Sequence, residues 1–193
     1  MNYPNSSRIG ICFINNNTIA VSYKQDYSKK IYFVDIITGF EVGDKKYISM
    51  YEICEFKHNI IKNQLIINKL SDIIYFWYYN EDDYACINTR KYCKNTNGYY
   101  ITDINLSSDG NHLVVTSNLG DIMVYCCKSR EYILSMNNID TCAIKNAYFY
   151  HNSMITIDSN GQIKIWSGET SEIINEFNSD LSDIRKMLLV PHP

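Results

Sequence analysis

The residues that could carry out catalysis are few and lie far apart in this sequence. None of the four histidines accompanies a serine or cysteine in a nucleophile-elbow pattern such as Gly-x-Ser-x-Gly. The acidic run Glu81-Asp82-Asp83 could serve acid-base chemistry or bind a cation, but it falls in an expected turn, where a solvated loop is the ordinary finding. We therefore expect no catalytic residue and do not expect an enzyme. The histidines are His58, His112, His151 and His192.

The cysteines do not suggest a metal site or a disulfide framework. Their number is odd, and their spacing shows no paired pattern. Zinc would require two close pairs of the Cys-x-x-Cys type, which the sequence lacks, and the turn glycines have no phosphate-loop spacing. We expect small buried thiols in a reducing compartment, without a metal or any other cofactor. The seven cysteines are Cys12, Cys54, Cys86, Cys93, Cys126, Cys127 and Cys142.

No segment has the properties of a membrane span or a secretory signal. The longest apolar runs, such as residues 73–79, are well short of the roughly 20 residues that a transmembrane helix needs. Residues 1–8 show no basic stretch followed by an apolar one, as a secretory signal would. We expect an intracellular protein, in the cytoplasm or the nucleus, without a membrane partner.

Four residues are the best candidates for contact with a partner. Arg90 and Lys91 begin a short basic and aromatic segment, and Tyr99 and Tyr100 precede an expected strand, where they would be exposed at one rim. Direct binding to nucleic acid is not favoured, because the net charge of −3 and the pI of about 5.8 are the reverse of a basic footprint. We expect these residues to bind other proteins.

A recurring sequence pattern predicts the strands that would position these residues. A Gly or polar residue precedes an alternating strand that ends in an aromatic residue, as in Asn160-Gly161-Gln162-Ile163-Lys164-Ile165-Trp166 and Leu119-Gly120-Asp121-Ile122-Met123-Val124-Tyr125. Four copies recur at intervals of roughly 40 to 50 residues, a period typical of propeller blades with four strands each. Two turns of the third copy, Ser107-Ser108-Asp109-Gly110 and Asn118-Leu119-Gly120-Asp121, carry Gly with Asp or Asn, which suits tight hairpins. The sequence therefore predicts an all-β fold, a β-propeller of about four blades made of antiparallel four-stranded sheets.

Each copy predicts four strands in succession. We expect strands over residues 8–14, 18–23, 30–35 and 40–42; 53–58, 64–69, 72–77 and 84–87; 101–106, 112–117, 122–125 and 131–136; and 143–150, 154–157, 163–166 and 172–177. The corresponding blades would cover residues 8–50, 51–98, 99–140 and 141–180 of a single domain, 1–193, and residues 181–190 would begin a fifth blade.

The chain resembles the WD-repeat family of β-propellers over nearly its whole length. The best match is residues 160–172, which look like the family's turn, third strand, Trp-Asp pair and following loop, and Ser107-Ser108-Asp109-Gly110 is similar to the family's first turn. Ser167 stands where the family has Asp, and no Gly-His dipeptide opens a repeat, so the family's Asp-His-Ser-Trp hydrogen-bond network cannot form as usual. Because Trp166 stands at the end of the clearest third strand, we expect it to be buried between neighbouring blades with its indole N–H hydrogen-bonded.

The number of blades leaves three alternatives open. WD-repeat propellers usually close a ring of seven, so a partial or open ring would leave apolar blade faces uncovered. The chain could be a fragment with missing C-terminal blades, could complete its ring with a second chain, or could form a small or open propeller. The function that we expect is a non-catalytic scaffold for protein–protein interaction within a multiprotein assembly. One alternative is a subunit of an RNA-processing or ribosome-assembly complex that contacts RNA, and another is an enzyme or ligand-binding propeller with a site in its central channel.

Overall fold

The part of the chain that the structure describes forms antiparallel β-sheets with almost no helix. The computed structural model describes residues 10–25, 28–42, 49–50, 53–69, 72–79, 81, 83–93, 97–137 and 142–179. Within these ranges, the strands assemble into four sheets of four strands, which we number 1 to 4 along the chain. The helix that these residues form, Thr89–Tyr92, is a single short 3-10 turn, and no helix among them is long and apolar enough to cross a bilayer.

The strands follow one another in chain order. Sheet 1 contains β1 (Ile11–Phe13), β2 (Thr18–Gln25), β3 (Ser28–Asp35) and β4 (Ser49–Met50); sheet 2 contains β5 (Ile53–Asn59), β6 (Gln64–Lys69), β7 (Ile73–Tyr78) and β8 (Asp83–Asn88); sheet 3 contains β9 (Ile101–Leu106), β10 (His112–Ser117), β11 (Asp121–Cys126) and β12 (Tyr132–Asn137); and sheet 4 contains β13 (Ile144–Tyr150), β14 (Ser153–Asp158), β15 (Gln162–Ser167) and β16 (Ile173–Asn178).

Every sheet is a simple antiparallel meander, with each strand hydrogen-bonded to the next one along the chain. The all-β prediction is therefore confirmed, and fifteen of the sixteen predicted strands overlap an observed one. The segment predicted as a fifth blade, residues 181–190, lies outside the described residues.

The prediction of a strand over residues 40–42 is wrong. The chain leaves β3 through a turn in which the Asp35 carboxylate accepts hydrogen bonds from the backbone N–H groups of Ile37 and Thr38. This turn brings only Glu41 into an isolated bridge with Val34. The fourth strand of sheet 1 forms later, at Ser49–Met50, opposite the beginning of β3.

Short polar side chains and glycine shape the hairpins as the sequence suggests. In the turn between β10 and β11, the Ser117 hydroxyl donates to the Asp121 carboxylate over 2.8 Å and accepts the Leu119 N–H over 3.2 Å. Gly120 adopts a φ of 87° in this turn, a conformation that glycine takes with little steric cost. The local sequence is therefore sufficient to reverse the chain here.

The described contacts divide the chain into two compact units, Met1–Asn88 and Thr89–Pro193, which we call unit 1 and unit 2. In unit 1, sheets 1 and 2 pack through one buried apolar cluster, and their first strands, β1 and β5, contact each other. The predicted strand residues Phe76 and Trp77 are buried in sheet 2. The cluster consists of Ile14, Ala20, Ile31, Phe33, Phe56, Leu65, Ile67 and Trp77.

Gly10 lies against the Phe56 ring of sheet 2. A Cβ atom at this position would overlap the Phe56 ring and lie 3.1 Å from Ser22 Oγ. The Ser22 hydroxyl accepts the Gly10 N–H over 2.8 Å, so the backbone cannot withdraw without losing this bond. Packing of β1 against sheet 2 therefore requires a residue without a side chain.

In unit 2, sheets 3 and 4 pack around Trp166. The first strands, β9 and β13, are again in contact, and the Asn105 side-chain amide donates to the Ala147 carbonyl over 2.8 Å. Trp166 is buried, and its indole N–H donates to Thr156 Oγ1 over 2.9 Å, so its predicted burial and hydrogen bond are confirmed. The apolar cluster consists of Val114, Ile122, Met136, Ile144, Ala147, Met154 and Trp166.

Candidate functional site

The short 3-10 helix at the beginning of unit 2 contains Arg90 and Lys91, and its first residue, Thr89, is buried. Thr89 is completely buried, and its hydroxyl shares a hydrogen bond of 2.8 Å with the Tyr99 hydroxyl. Arg90 and Lys91, which follow directly, are exposed. The helix therefore presents two cations from a position that the Thr89–Tyr99 bond holds in place.

Tyr99 is part of the interior and is not exposed as the sequence suggested. Only 5% of the residue is accessible, and burial raises the pKa of its phenol well above the usual value. The expected exposure of Tyr99 is wrong because its hydroxyl finds a buried partner in Thr89, which a tyrosine at a turn does not ordinarily have. Its hydrogen bond joins the segment that carries Arg90 to the segment that carries Tyr100.

Tyr100 is the member of the pair that faces solvent. The turn between β10 and β11 holds its backbone: the Tyr100 N–H donates to Asn118 Oδ1 over 2.8 Å, and the Asn118 N–H donates to the Tyr100 carbonyl over 3.1 Å. The Asn118 side-chain amide also donates to the Gly98 carbonyl. The side chain of Tyr100 is 43% exposed, so a fixed backbone presents an accessible aromatic ring.

Tyr92 is a further candidate that the sequence alone did not single out. Its ring stacks on that of Tyr132, with centroids 4.2 Å apart and planes 4° from parallel, and it meets the Tyr125 ring edge to face at 6.0 Å. Tyr125 is buried, whereas Tyr92 remains 43% exposed. Since Tyr132 lies at the start of β12, far along the chain, only its pairing with β11 brings it to Tyr92. The basic and aromatic composition of residues 90–94 was the signal in the sequence.

The hydrogen bond between Thr89 and Tyr99 ties together the two segments that expose Arg90, Lys91, Tyr92 and Tyr100, and we refer to these four exposed residues as the basic and aromatic surface. Two cations and two partly exposed rings suit contacts with carboxylates, with apolar side chains or with planar bases. The structure supplies buried anchors beneath this surface in Thr89, Tyr99 and Tyr125.

The groups considered for catalysis do not converge in the described part of the chain. Glu81 and Asp83 are exposed in the turn between β7 and β8. His58 lies 3.2 Å from the Tyr79 hydroxyl, and burial lowers its pKa. Among the described residues, no three or more His, Cys, Asp or Glu side chains are grouped so that they could hold a metal ion.

The cysteines are less uniformly buried than the sequence suggested. Cys127 is buried as expected, but Cys86 is exposed because it lies on the edge strand of sheet 2. Burial raises the pKa of the Cys12 thiol to about 12 and that of Cys93 to about 11. These two thiols are therefore protonated near neutral pH and are poor nucleophiles.

The chain matches no protein-family model, and no curated protein shows significant similarity to it.

Proposed function

We propose that this protein is a divergent WD-repeat propeller segment that acts as a non-catalytic scaffold for protein–protein interaction. The fold part of the proposal is supported by four successive four-stranded meanders. It is also supported by the contact between the first strands of neighbouring sheets in each unit, β1 with β5 and β9 with β13. First strands that approach one another are expected where blades converge on an axis.

The internal hydrogen bond of Trp166 also supports the family. Trp166 lies at the end of a third strand and donates to a hydroxyl on the second strand, Thr156. This pair corresponds to the Ser-Trp part of the WD-repeat hydrogen-bond network, with threonine in place of serine. A propeller fold by itself hosts many functions. The scaffold role must therefore be argued from a particular surface that could bind a partner.

The observation that carries the scaffold role is the basic and aromatic surface of unit 2. Its exposed groups stand on buried anchors, so little conformational freedom is lost when a partner binds. Aromatic and Arg side chains are also the residue types that dominate binding energy at protein interfaces. Partners would be other proteins of the same assembly, and a second chain or further blades could complete the propeller.

Affinity purification with quantitative mass spectrometry tests this proposal. The tagged chain is compared with the double variant Arg90→Glu/Lys91→Glu, in which the surface charge is reversed. We expect the proteins enriched by the unchanged chain to fall at least about tenfold, since each reversed contact at a rim costs about 1 kcal/mol or more. The control Lys128→Glu/Lys145→Glu makes the same charge change at two other exposed positions of unit 2 and should retain them. The proposal would be contradicted if the two double variants recovered the same proteins in equal amounts.

A second candidate function is direct contact with RNA at the same surface. It is favoured by the position of the Tyr92 ring beside two cations, because aromatic rings and basic side chains together bind single-stranded nucleic acid. Fluorescence anisotropy with a labelled single-stranded RNA distinguishes this candidate. Binding that weakens steeply with salt and disappears in the Arg90→Glu/Lys91→Glu variant would support RNA contact.

A further inference from the structure

One end of unit 1 exposes an unusual number of large apolar side chains. Six of them are between 47% and 75% accessible, and all lie in or beside the turns that follow the first and third strands. We define these residues as the apolar rim: Phe13, Ile36, Ile37, Phe40, Ile60 and Ile61.

Hydrogen bonds and a cavity show that these turns lie together. The Ile36 N–H donates to the Asn17 carbonyl over 2.9 Å, which joins the loop after β3 to the turn after β1. The turn after β1 and the turn after β5 together line an open cavity of about 360 Å³. Its lining residues are Phe13, Ile14, Asn15, Asn16 and Ile60.

Internal hydrogen bonds hold the backbone of the loop after β3, which carries three residues of the apolar rim. Asp35 Oδ1 accepts the N–H groups of Ile37 and Thr38 over 2.9 and 2.8 Å, and the Asp35 N–H donates to the Phe40 carbonyl over 3.0 Å. A partner that contacts Ile36, Ile37 and Phe40 therefore need not order the backbone of this loop first.

The turns at the equivalent positions of unit 2 are polar. The turn after β9 contains Ser108, Asp109 and Asn111, all exposed, and the turn after β11 contains the exposed residues Lys128 and Ser129. The same hairpins thus form with fewer exposed apolar residues, since the exposed large apolar residues described beside these turns in unit 2 are Tyr150 and Ile173. Hairpin formation does not explain the apolar rim, and grouped exposed apolar residues are typical of a binding surface.

Among the residues that the structure describes in the turns of the apolar rim, carboxylates outnumber cations. Asp35 lies at the base of the loop after β3, and Glu41 is exposed at its end, whereas the turn after β5 contributes one cation, Lys62. An anionic lipid surface would be repelled by the two carboxylates, so a protein segment with basic residues fits this border better. The cavity beside Phe13 and Ile60 is large enough to receive an apolar side chain of that segment.

We propose that the apolar rim docks a protein segment that presents apolar side chains flanked by basic residues. This inference rests on the scaffold function and adds to it a second binding surface, in unit 1, with a stated partner chemistry. The apolar side chains of the segment would cover Phe13, Ile60 and Ile61, and its basic residues would lie near Glu41.

Selection from a random peptide library tests the proposal directly. A phage-displayed library of random dodecapeptides is selected on the immobilised full chain and depleted on the variant Ile60→Asn/Ile61→Asn. We expect enriched peptides that combine Leu, Ile, Phe or Trp with Lys or Arg. A synthetic peptide of the enriched sequence should bind the double variant at least tenfold more weakly and Glu41→Lys several-fold more weakly. The variant Ile174→Asn, which changes an equally exposed isoleucine of unit 2, should bind as the unchanged chain does.

The possible results separate this inference from the scaffold proposal. The docking role of the apolar rim would be overturned by any of three results: no peptide is enriched, the enriched peptides lack basic residues, or the peptide binds all variants with equal affinity. Binding to phosphatidylserine vesicles that is lost in Ile60→Asn/Ile61→Asn would instead assign the rim to a lipid surface and also overturn it. The variant Arg90→Glu/Lys91→Glu should bind the peptide as the unchanged chain does. A negative result in the affinity purification would therefore contradict the scaffold proposal but not the docking role of the apolar rim. A negative result in the peptide selection would contradict the docking role but not the scaffold proposal.

Discussion

Replacing Trp166 with Ala is expected to destabilise unit 2 strongly. Trp166 is only 5% exposed and packs in the cluster that joins sheets 3 and 4, with Met154 among its neighbours in sheet 4. Removal of a buried Trp side chain costs about 3 to 5 kcal/mol, because apolar contacts are lost and a cavity remains. Part of this cost, about 1 kcal/mol, comes from the hydrogen bond between the indole N–H and Thr156 Oγ1.

A second substitution isolates the hydrogen bond. Thr156→Val keeps the shape of the side chain but leaves the buried indole N–H without an acceptor, so we expect a loss of about 1 to 3 kcal/mol. Phe177→Ala serves as the control, because it removes an aromatic ring from the same sheet at a position that is 48% exposed. This variant should lose less than about 1 kcal/mol.

The measurement must follow unit 2 by itself, since two compact units need not unfold together. Hydrogen exchange of peptides from β13 to β16, measured by mass spectrometry as a function of urea, reports the free energy of opening for this region. Sheets 1 and 2 provide an internal reference in the same sample. A loss below roughly 1 kcal/mol for Trp166→Ala would refute the assignment of Trp166 to a packed core between two sheets.

Three further outcomes can be checked on the purified chain. Gly10→Ala should lower the free energy of unfolding by about 1 to 3 kcal/mol in urea titration, because the new methyl group overlaps the Phe56 ring; an unchanged midpoint would contradict the close contact. Hydrogen bonds from Ser107 and Asn111 lower the pKa of Asp109 from 3.8 to about 2. The carboxylate therefore stabilises the fold above about pH 4, and this contribution is lost as the pH falls towards 2. The variant Asp109→Asn should show a smaller fall in Tm over that interval, and parallel profiles would argue against the shift. Iodoacetamide at pH 8 should modify Cys86 well before Cys12, whose pKa is about 12; mass spectrometry that found the reverse order would contradict the assigned burial.

Much of the secondary structure could be predicted from the sequence because its causes are local. Alternation of apolar residues marks strands of sheets with buried faces, and Gly with Asp or Asn marks the hairpins, as in the turn that contains Gly120. The alternation recurs in every copy and the glycine signal is clearest in the third and fourth copies, so the four-stranded meanders were predictable. The exception, residues 40–42, shows the limit: the hydrogen bonds of Asp35 and the later pairing of Ser49–Met50 set the last strand of sheet 1.

The sequence by itself determined most of the strands and turns, the basic segment that begins with Arg90 and Lys91, and the expected exposure of Tyr100 at a rim. Only the tertiary structure decided that Tyr99 is buried while Tyr100 is exposed, because the hydrogen bond from Thr89 to Tyr99 joins two segments separated by a loop. Packing across the sheet likewise stacked Tyr92 on Tyr132, and the approach of three turns assembled the apolar rim. Contacts between residues distant in the chain depend on register and on which faces meet, and the alternation of residues within one strand does not contain that information.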